Sequence, residues 1–222
     1  MTATQFEALS DDAWLLRFGD RIDADLNARV HALASRLRTQ PPAWLRDLVP
    51  AYASLGVFFD TAVGPNRVRD ELSARLAGDD SRATNAPVRT VEIAVAYGGE
   101  HGPDLDSCAA ELGLSPQSLV QRHSAVVYTV AMIGFAPGFP YLIGLDPALA
   151  LPRLARPRAR VPAGSIAIGG AQTGIYPRES PGGWRLIGRT EQSLFEPKRD
   201  PPTLLQPGDR VRFVALDTGV LP

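Results

Sequence analysis

The sequence has a single cysteine, no long apolar run and no secretory leader pattern. Cys108 has no second cysteine to pair with, so an internal disulfide is excluded and a reducing compartment is favoured. No uninterrupted apolar stretch approaches the roughly 20 residues that a membrane-spanning helix needs. The N-terminal stretch MTATQFEALSDDAW is acidic and lacks the basic-then-apolar order of a signal peptide. These absences predict a cytoplasmic protein that works without a membrane.

Motifs for common cofactors and catalysts are also missing. The sequence has no GxxxxGK[ST] phosphate loop, and no GxGxxG follows a strand pattern. Its three histidines, His31, His101 and His123, belong to no HExxH motif or Cys/His cluster, so no metal site is predicted. The stretch AGSIA around Ser165 lacks the final glycine of the GxSxG nucleophile motif. No autonomous catalytic site is predicted, and catalytic residues stay unassigned.

Positive charge is concentrated in one part of the chain. Between Arg153 and Arg189 lie seven arginines and a single acid, Glu179, so this window carries +6 in a chain of net charge −1. Such a cluster favours a localised anionic partner: a carboxylate, a phosphate or an acidic protein face. Nucleic acid is not favoured, because no lysine lies in the window and the domain is not basic overall. The alternative for any single arginine is a solvated surface position.

The first third of the chain alternates strand and helix patterns. We predict a strand at Ala13–Gly19, a helix from Ile22 ended by Pro41–Pro42, two short strands within Leu45–Asp60 and a second helix from about Asn66. This βαββα order is typical of a ferredoxin-like split βαβ module, which RTVEIAVAY could complete or follow. The polar stretch GDDSRATNAP, residues 78–87, is the predicted linker. The predicted domains are residues 1–86 and 87–222.

The remainder of the chain changes from helical patterns to short strands. Strands are predicted at Val88–Ala96 and Ala125–Ile133, with two short helices between them, the second capped by Ser115. From Gly134 onward, glycine and proline separate short apolar runs, a pattern that favours a β-barrel or a sandwich. GFAPGFPYLIGL, which follows the second strand, combines turn residues with aromatic rings. It predicts a rigid loop that holds apolar side chains at a surface.

Five phrases occur together: YGGEHGPDL, GFAPGFPYL, RARVPAGSIAIGG, GIYPRESPGGWRLIGRT and PGDRVRF. In combination they resemble PxpB, the B subunit of the bacterial ATP-dependent 5-oxoprolinase. This family is also called allophanate hydrolase subunit 1 and includes the sporulation-kinase inhibitor KipI. The resemblance runs from about Trp14 to Phe213. One departure is Ala96, where the family pattern has a cysteine before YGG, which argues against an essential thiol there.

The resemblance implies an α+β protein with a small N-terminal domain and a cyclophilin-like β-barrel. It implies association with 5-oxoprolinase subunits C and A, called PxpC and PxpA, of which PxpC has a related barrel. The assembly would use ATP to open the lactam of 5-oxoproline, giving glutamate, ADP and phosphate. Two other functions stay open: a KipI-like module that inhibits a histidine kinase by binding, and a cyclophilin-type prolyl isomerase. For the last, a shared fold does not transfer an activity.

A substrate with a carboxylate and a phosphorylated intermediate would suit arginine forks. The candidates for substrate or anion binding are Arg158, Arg160, Ser165, Gln172, Tyr176, Arg178, Gly182 and Gly183. Gly164–Ser165 present N–H groups to an anion or form an ordinary turn. Phe135, Phe139 and Tyr141 are expected at a partner interface or as a pocket wall, with internal packing as the alternative. His123, Cys108 and Trp184 are interpreted as structural.

Overall fold

A computed structural model describes residues 4–77 and 88–217. The chain divides into two compact units, Met1–Pro87 and Val88–Pro222. The predicted linker, residues 78–87, lies outside the described residues, so the domain boundary after residue 86 stays a prediction. No helix in the described part of the chain is long and apolar enough to span a membrane.

The first unit packs two helices against an antiparallel sheet. Its elements are β1 (Gln5–Ser10), β2 (Ala13–Arg17), α1 (Ala24–Thr39), β3 (Leu45–Pro50), β4 (Ser54–Phe59) and α2 (Pro65–Ala77). The four described strands have the order β1-β2-β4-β3, and every neighbouring pair is antiparallel. β4 therefore lies between β2 and β3, which α1 connects. The unit has its own apolar core, to which both helices contribute, including Val30, Leu33, Leu37, Val68 and Leu72.

Two features of this unit differ from the sequence prediction. The sequence pattern does not predict β1, because five of its six residues are exposed and the strand shows no apolar alternation. This strand occupies the sheet edge beside β2, whereas the strand at Thr90–Tyr97 belongs to the second unit. α1 begins at Ala24 rather than Ile22, because the extended Asp23 caps it and accepts hydrogen bonds from the N–H groups of Asp25 and Leu26. The ferredoxin-like assignment stays a prediction.

The second unit is a closed barrel with two helices. Its elements are β5 (Thr90–Tyr97), α3 (Leu105–Glu111), α4 (Pro116–Ser124), β6 (Val127–Ile133), β7 (Pro140–Ile143), β8 (Arg158–Val161), β9 (Ser165–Gly169), β10 (Gln172–Ile175), β11 (Ser180–Gly182), β12 (Arg185–Arg189) and β13 (Arg210–Ala215). Among the described residues, seven strands close the barrel in the order β10-β7-β6-β13-β5-β12-β9, and β8 pairs with β11 beside it. The predicted barrel is confirmed.

The barrel interior is filled by alternate residues of its strands. Ile93, Val95 and Tyr97 of β5 are buried together with Val211 and Phe213 of β13. β13 pairs in parallel with β5 and antiparallel with β6, so it lies between the two. As predicted, Ser115 caps α4 and Pro116 begins it. The helix contributes Leu119, Val120 and His123 to the buried residues.

Candidate functional site

The loop between β6 and β7 holds Phe135 in a backbone conformation that L-residues rarely adopt. Its φ is 64°, while its side chain is 61% exposed. Two backbone hydrogen bonds lie within the loop: the Phe139 N–H donates to the Ala136 carbonyl at 3.0 Å, and the Gly134 N–H donates to the Phe139 carbonyl at 3.1 Å. The predicted exposure of an apolar side chain on this loop is found at Phe135, and the rigidity of the loop stays a prediction. Phe139, by contrast, is buried.

Beside this loop lies a small cavity that we call the aromatic pocket. Its volume is about 170 Å³, and it is lined by Phe135, Phe139, Tyr141, Arg153, Leu154, Pro157, Tyr176, Gly182, Gly183 and Trp184. The rings stand mostly edge-to-face, with Phe139 at 5.1 Å from Tyr176 and 5.7 Å from Trp184 between centroids. Six residues predicted from the sequence therefore come together here. These are Phe135, Phe139, Tyr141, Tyr176, Gly182 and Gly183.

Glycines allow the aromatic rings to reach these positions. A Cβ at Gly182 would overlap the hydroxyl oxygen of Tyr176, and a Cβ at Gly169 would overlap the indole of Trp184. A glycine therefore lets each ring pack directly against backbone. The Gly183 carbonyl accepts a hydrogen bond from the Leu154 N–H at 2.7 Å, which joins the two chain segments that line the pocket.

Arg153 and Tyr176 bring polar groups to the aromatic pocket. The Arg153 guanidinium lies 5.7 Å from the centroid of the Trp184 ring, a cation–π geometry. Burial raises the pKa of the Tyr176 phenol above its ordinary value, against a backbone hydrogen bond from Trp184 and the charge of Arg153, which lower it. Tyr176 therefore keeps its proton at neutral pH. Sequence reasoning places Arg153 in the charged window but does not select it.

Arg158 does not line the pocket. It forms an ion pair with Asp104, which we call the brace because it connects β8 to the start of α3 and to β12. Its Nη2 donates to Oδ1 of Asp104 at 2.6 Å, and Oδ2 of the same carboxylate accepts from the Leu186 N–H at 2.7 Å. Its Nη1 is buried without a hydrogen-bond partner. β8 and β11 bring Arg158 opposite Gly182, so the brace supports the strand that carries the pocket glycine.

The other arginines of the window lie apart from the aromatic pocket. Arg160 is exposed and lies 3.7 Å from Glu179, whereas Arg178 is exposed with no ion pair among the described residues. Arg185 pairs with Glu111 at 3.1 Å, and Nε of Arg189 donates to the Ala163 carbonyl at 2.9 Å. The anion-binding roles of Arg158, Arg160 and Arg178 stay predictions.

The Gly164–Ser165 stretch forms a turn whose polar groups bond within the protein. The Gly164 N–H donates to the Tyr176 carbonyl at 2.7 Å, and the Ser165 hydroxyl donates to the Pro162 carbonyl at 2.8 Å. Of the two alternatives for this stretch, the geometry favours the ordinary turn. Gln172 is buried in β10 opposite Gly169, and its contact with a substrate stays a prediction.

His123 and Cys108 lie inside the barrel unit. The Nδ1 of His123 is 2.8 Å from the Tyr97 hydroxyl, and its Nε2 is 3.0 Å from Oγ1 of Thr173. Burial lowers the pKa of His123 to about 3. Burial likewise raises the pKa of the Cys108 thiol to about 12, so it carries no thiolate at neutral pH. Both residues are placed as structural groups.

A second and larger cavity lies beside the paired strands β5 and β12, near Ala96 and Arg189. We call it the seam cavity. Its volume is about 870 Å³, and its lining is Ala94, Ala96, His101, Ala163, Gly164, Pro177, Arg189, Thr190, Glu191, Gln192, Ser193 and Leu216. Small residues form much of this lining, and one arginine and one carboxylate belong to it. Within residues 4–77 and 88–217, no group of His, Cys, Asp and Glu side chains could hold a metal ion.

The chain is similar to known proteins over nearly its whole length. Residues 4–205 match the family model described as "Carboxyltransferase domain, subdomain C and D". The Bacillus subtilis (strain 168) protein named as the B subunit of 5-oxoprolinase is 43% identical over 225 residues, which cover 96% of this chain and 92% of that protein. The chain belongs to the PxpB family of 5-oxoprolinase B subunits. The family named from the sequence phrases is thereby confirmed.

Two further relatives extend this result. The Escherichia coli O157:H7 protein of the same family name is 55% identical over 142 residues, covering 64% of this chain and 65% of that protein. The crystal structure of TTHA0988 matches with a TM-score of 0.81 at 42% identity. The match covers 95% of this chain but 41% of TTHA0988, so this family member spans about two fifths of that longer chain.

Proposed function

We propose that the chain is the B subunit of an ATP-dependent 5-oxoprolinase complex and that it works in the cytoplasm. The observation that carries the proposal is the 43% identity, over 96% of this chain, to the 5-oxoprolinase B subunit of Bacillus subtilis. Phe135 supports a role in a complex, because this large apolar side chain is exposed, at a positive φ, on the rim of the aromatic pocket. Backbone outliers of this kind cluster at active sites and ligand-binding sites. An apolar ring at the rim of a pocket is the side chain that a partner protein would cover.

The proposed partners are 5-oxoprolinase subunits C and A, that is PxpC and PxpA. Relatives named as 5-oxoprolinase B subunits support this choice, because a subunit name implies an assembly. TTHA0988 adds a second argument. The part that resembles this chain is 41% of one polypeptide, so in that protein further protein is covalently joined to a unit of this kind.

The described residues also support a shared rather than an autonomous active site. The Ser165 hydroxyl bonds to a backbone carbonyl, Cys108 is buried, and His123 is enclosed in a hydrogen-bond network. None of these candidate groups forms a nucleophile–base pair of the kind that activates a catalytic serine or cysteine. The chain would therefore position substrate and stabilise charge while its partners supply the remaining groups.

ATP fits the described residues poorly. The seam cavity has the volume for a nucleotide, but the only arginine among its described lining residues is Arg189, whose Nε already bonds the Ala163 carbonyl. Glu191 adds negative charge to the same lining. A triphosphate needs several cationic or N–H donors converging on it. We therefore assign the nucleotide site to a partner subunit.

The reaction proposed for the complex consumes two water molecules overall: one is added as the lactam C–N bond of 5-oxoproline breaks to give glutamate, and one as ATP becomes ADP and phosphate. A lactam is a stabilised amide, so phosphorylation of its carbonyl oxygen would make the nitrogen a better leaving group. Such chemistry depends on holding the substrate and compensating its charge. Rigid aromatic walls and an adjacent arginine are suited to that task.

Reconstitution tests the proposed function. The purified chain should release no glutamate from 5-oxoproline and ATP, because the described residues form no complete catalytic site. Addition of PxpC and PxpA should restore ATP-dependent release, measured as glutamate and phosphate formed together. Robust turnover by the single chain would contradict the assignment to a complex. Inhibition of a histidine kinase, without turnover in any assembly, would favour the KipI-like alternative.

A further inference from the structure

We infer that the aromatic pocket binds a five-membered lactam carboxylate, with Arg153 holding the carboxylate and the surrounding rings holding the flat lactam. This inference rests on the proposed function and names the place where this subunit would hold its substrate. Four features support it: the volume of the pocket, its aromatic walls, the positive charge of Arg153 and the protonated hydroxyl of Tyr176.

The volume of the pocket selects a small metabolite. At about 170 Å³ it falls below the roughly 300–1,000 Å³ of sites for drug-sized ligands, so a nucleotide does not fit. A single five-membered ring with two polar substituents is within the size range. The seam cavity, at about 870 Å³, is several times larger and has no phenylalanine, tyrosine or tryptophan among its described lining residues.

The walls suit a flat ring. Phe139, Tyr141, Tyr176 and Trp184 surround the pocket, and the centroid of Tyr141 lies 4.9 Å from Phe139 and 5.8 Å from Trp184. Phe139 contacts the other three rings, so none of them can turn away without disturbing the set. Gly182 and Gly183 complete the lining with backbone, which lets a ligand approach peptide groups closely.

The charge in the pocket selects an anion. Arg153 is the one cationic side chain among the described lining residues, and no described carboxylate forms an ion pair with it. Arg153 is exposed, and its guanidinium lies over the face of Trp184 beside the cavity, a contact that leaves its N–H donors for a ligand. Arg158, in contrast, already uses its charge on Asp104. The lone arginine predicts one carboxylate rather than a polyphosphate.

Tyr176 supplies a hydrogen-bond donor for the lactam. Its hydroxyl oxygen lies against Gly182, which lines the pocket. Burial raises the pKa of this phenol, so at neutral pH it keeps a proton that it can donate. A lactam carbonyl is a strong acceptor, and a donor aimed at it becomes more effective as negative charge develops on the oxygen.

The test is substrate binding by the assembled complex, with Arg153→Ala compared to Arg156→Ala. Arg156 is a nearby exposed arginine outside the pocket lining and serves as the matched control. Equilibrium dialysis with radiolabelled 5-oxoproline, without ATP, gives Kd, and turnover gives KM. We expect Arg153→Ala to weaken binding at least tenfold and Arg156→Ala to change it less than twofold. Arg153→Lys should recover little of the loss, because a bidentate contact depends on geometry.

Two further measurements separate the ring from the carboxylate. Tyr176→Phe keeps the wall and removes only the hydroxyl, so we expect at least a threefold loss of affinity. 2-Pyrrolidinone, a lactam without a carboxylate, should bind the wild type weakly. Its Kd for Arg153→Ala should equal that for the wild type, since it has no carboxylate for Arg153 to hold.

The outcomes distinguish this inference from the proposed function. If the wild-type assembly does not open 5-oxoproline, the proposed function fails. If it does, and Arg153→Ala and Tyr176→Phe both keep wild-type Kd and KM, the substrate site lies elsewhere and only this inference is overturned. Gel filtration of each variant complex shows that assembly is intact, so a change in Kd reports the pocket.

Discussion

The hydrogen bonds around His123 determine which of its ring nitrogens carries the proton. The Thr173 hydroxyl donates to the Ala167 carbonyl at 3.0 Å, so its oxygen accepts from the Nε2–H of His123. Nδ1 must then accept from the Tyr97 hydroxyl. The ring is therefore neutral, and it stacks on Phe213 with 4.7 Å between centroids. Adding a second proton would place a positive charge on a buried ring. This cost agrees with the pKa of His123, which burial lowers to about 3.

This histidine should make the barrel sensitive to mild acid. Its pKa is about 3 in the folded chain and 6.5 as the ordinary value, so between these values the unfolded state binds the extra proton and stability falls as pH falls. From pH 7 to pH 5 we expect a loss of about 2 kcal/mol in the free energy of unfolding from this one group. Urea unfolding at pH 7, 6 and 5 measures it.

Two variants show whether His123 is the cause. His123→Gln should be less stable at pH 7 but should lose less stability on acidification than the wild type. His101→Gln, which changes an exposed histidine, should keep the wild-type slope. Equal slopes for the wild type and His123→Gln would assign the acid sensitivity to other groups.

At the scale of single elements, the loop between β6 and β7 combines strain with exposure. Its positive φ at Phe135 is a conformation that costs about 1–2 kcal/mol for a residue with a Cβ and little for glycine. Phe135→Gly should therefore be more stable than Phe135→Ala by about 1 kcal/mol, the reverse of the usual effect of glycine. Urea unfolding of the two variants at neutral pH measures the difference.

The same two variants should behave alike toward the proposed partner PxpC. Both lack the ring, and the loss of an interface anchor typically costs about 2 kcal/mol or more in binding. Titration of each variant with PxpC measures the affinity. If the two variants differ in stability but bind PxpC equally weakly, the positive φ determines stability and the ring determines binding. Wild-type affinity in both would show that Phe135 is not at the interface.

The sequence predicts that this loop carries aromatic side chains at a turn, but it does not predict which of the two phenylalanines is exposed. The pattern GFAPGFPYL predicts aromatic rings on a stiff turn, yet only the fold shows that Phe135 is exposed and Phe139 buried.

The same limit applies to the arginines. Arg158 and Arg185 pair with Asp104 and Glu111, which lie outside the charged window along the sequence, so local charge counting could not identify them as paired. Arg153 differs by having the aromatic face of a tryptophan beside it, and that ring lies about 30 residues further along the chain, since the contact joins Arg153 to Trp184. Contacts across such separations depend on how the strands pair, which a local pattern does not contain.

At the scale of the whole molecule, each compact unit has its own apolar core. We predict that a fragment from Val88 to the end of the chain folds alone, because its described core residues all belong to the same unit. It should show a cooperative thermal transition and dispersed amide signals in NMR spectra. A fragment that begins after β5 is the control and should not fold, since β5 pairs with both β12 and β13. A disordered fragment from Val88 would contradict the prediction.

The place of β13 between β5 and β6 has a consequence for synthesis in the cell. The strand that joins the two is made about 120 residues after β5, since Arg210 pairs with Thr90. As the nascent chain leaves the ribosome, the facing edges of β5 and β6 lack their partner until Arg210–Ala215 emerges. Unpaired strand edges are the places where other chains attach, so a ribosome that stalls after β6 and before β13 would expose an aggregation-prone intermediate. The need for chaperones should therefore be greatest between the emergence of β6 and that of β13.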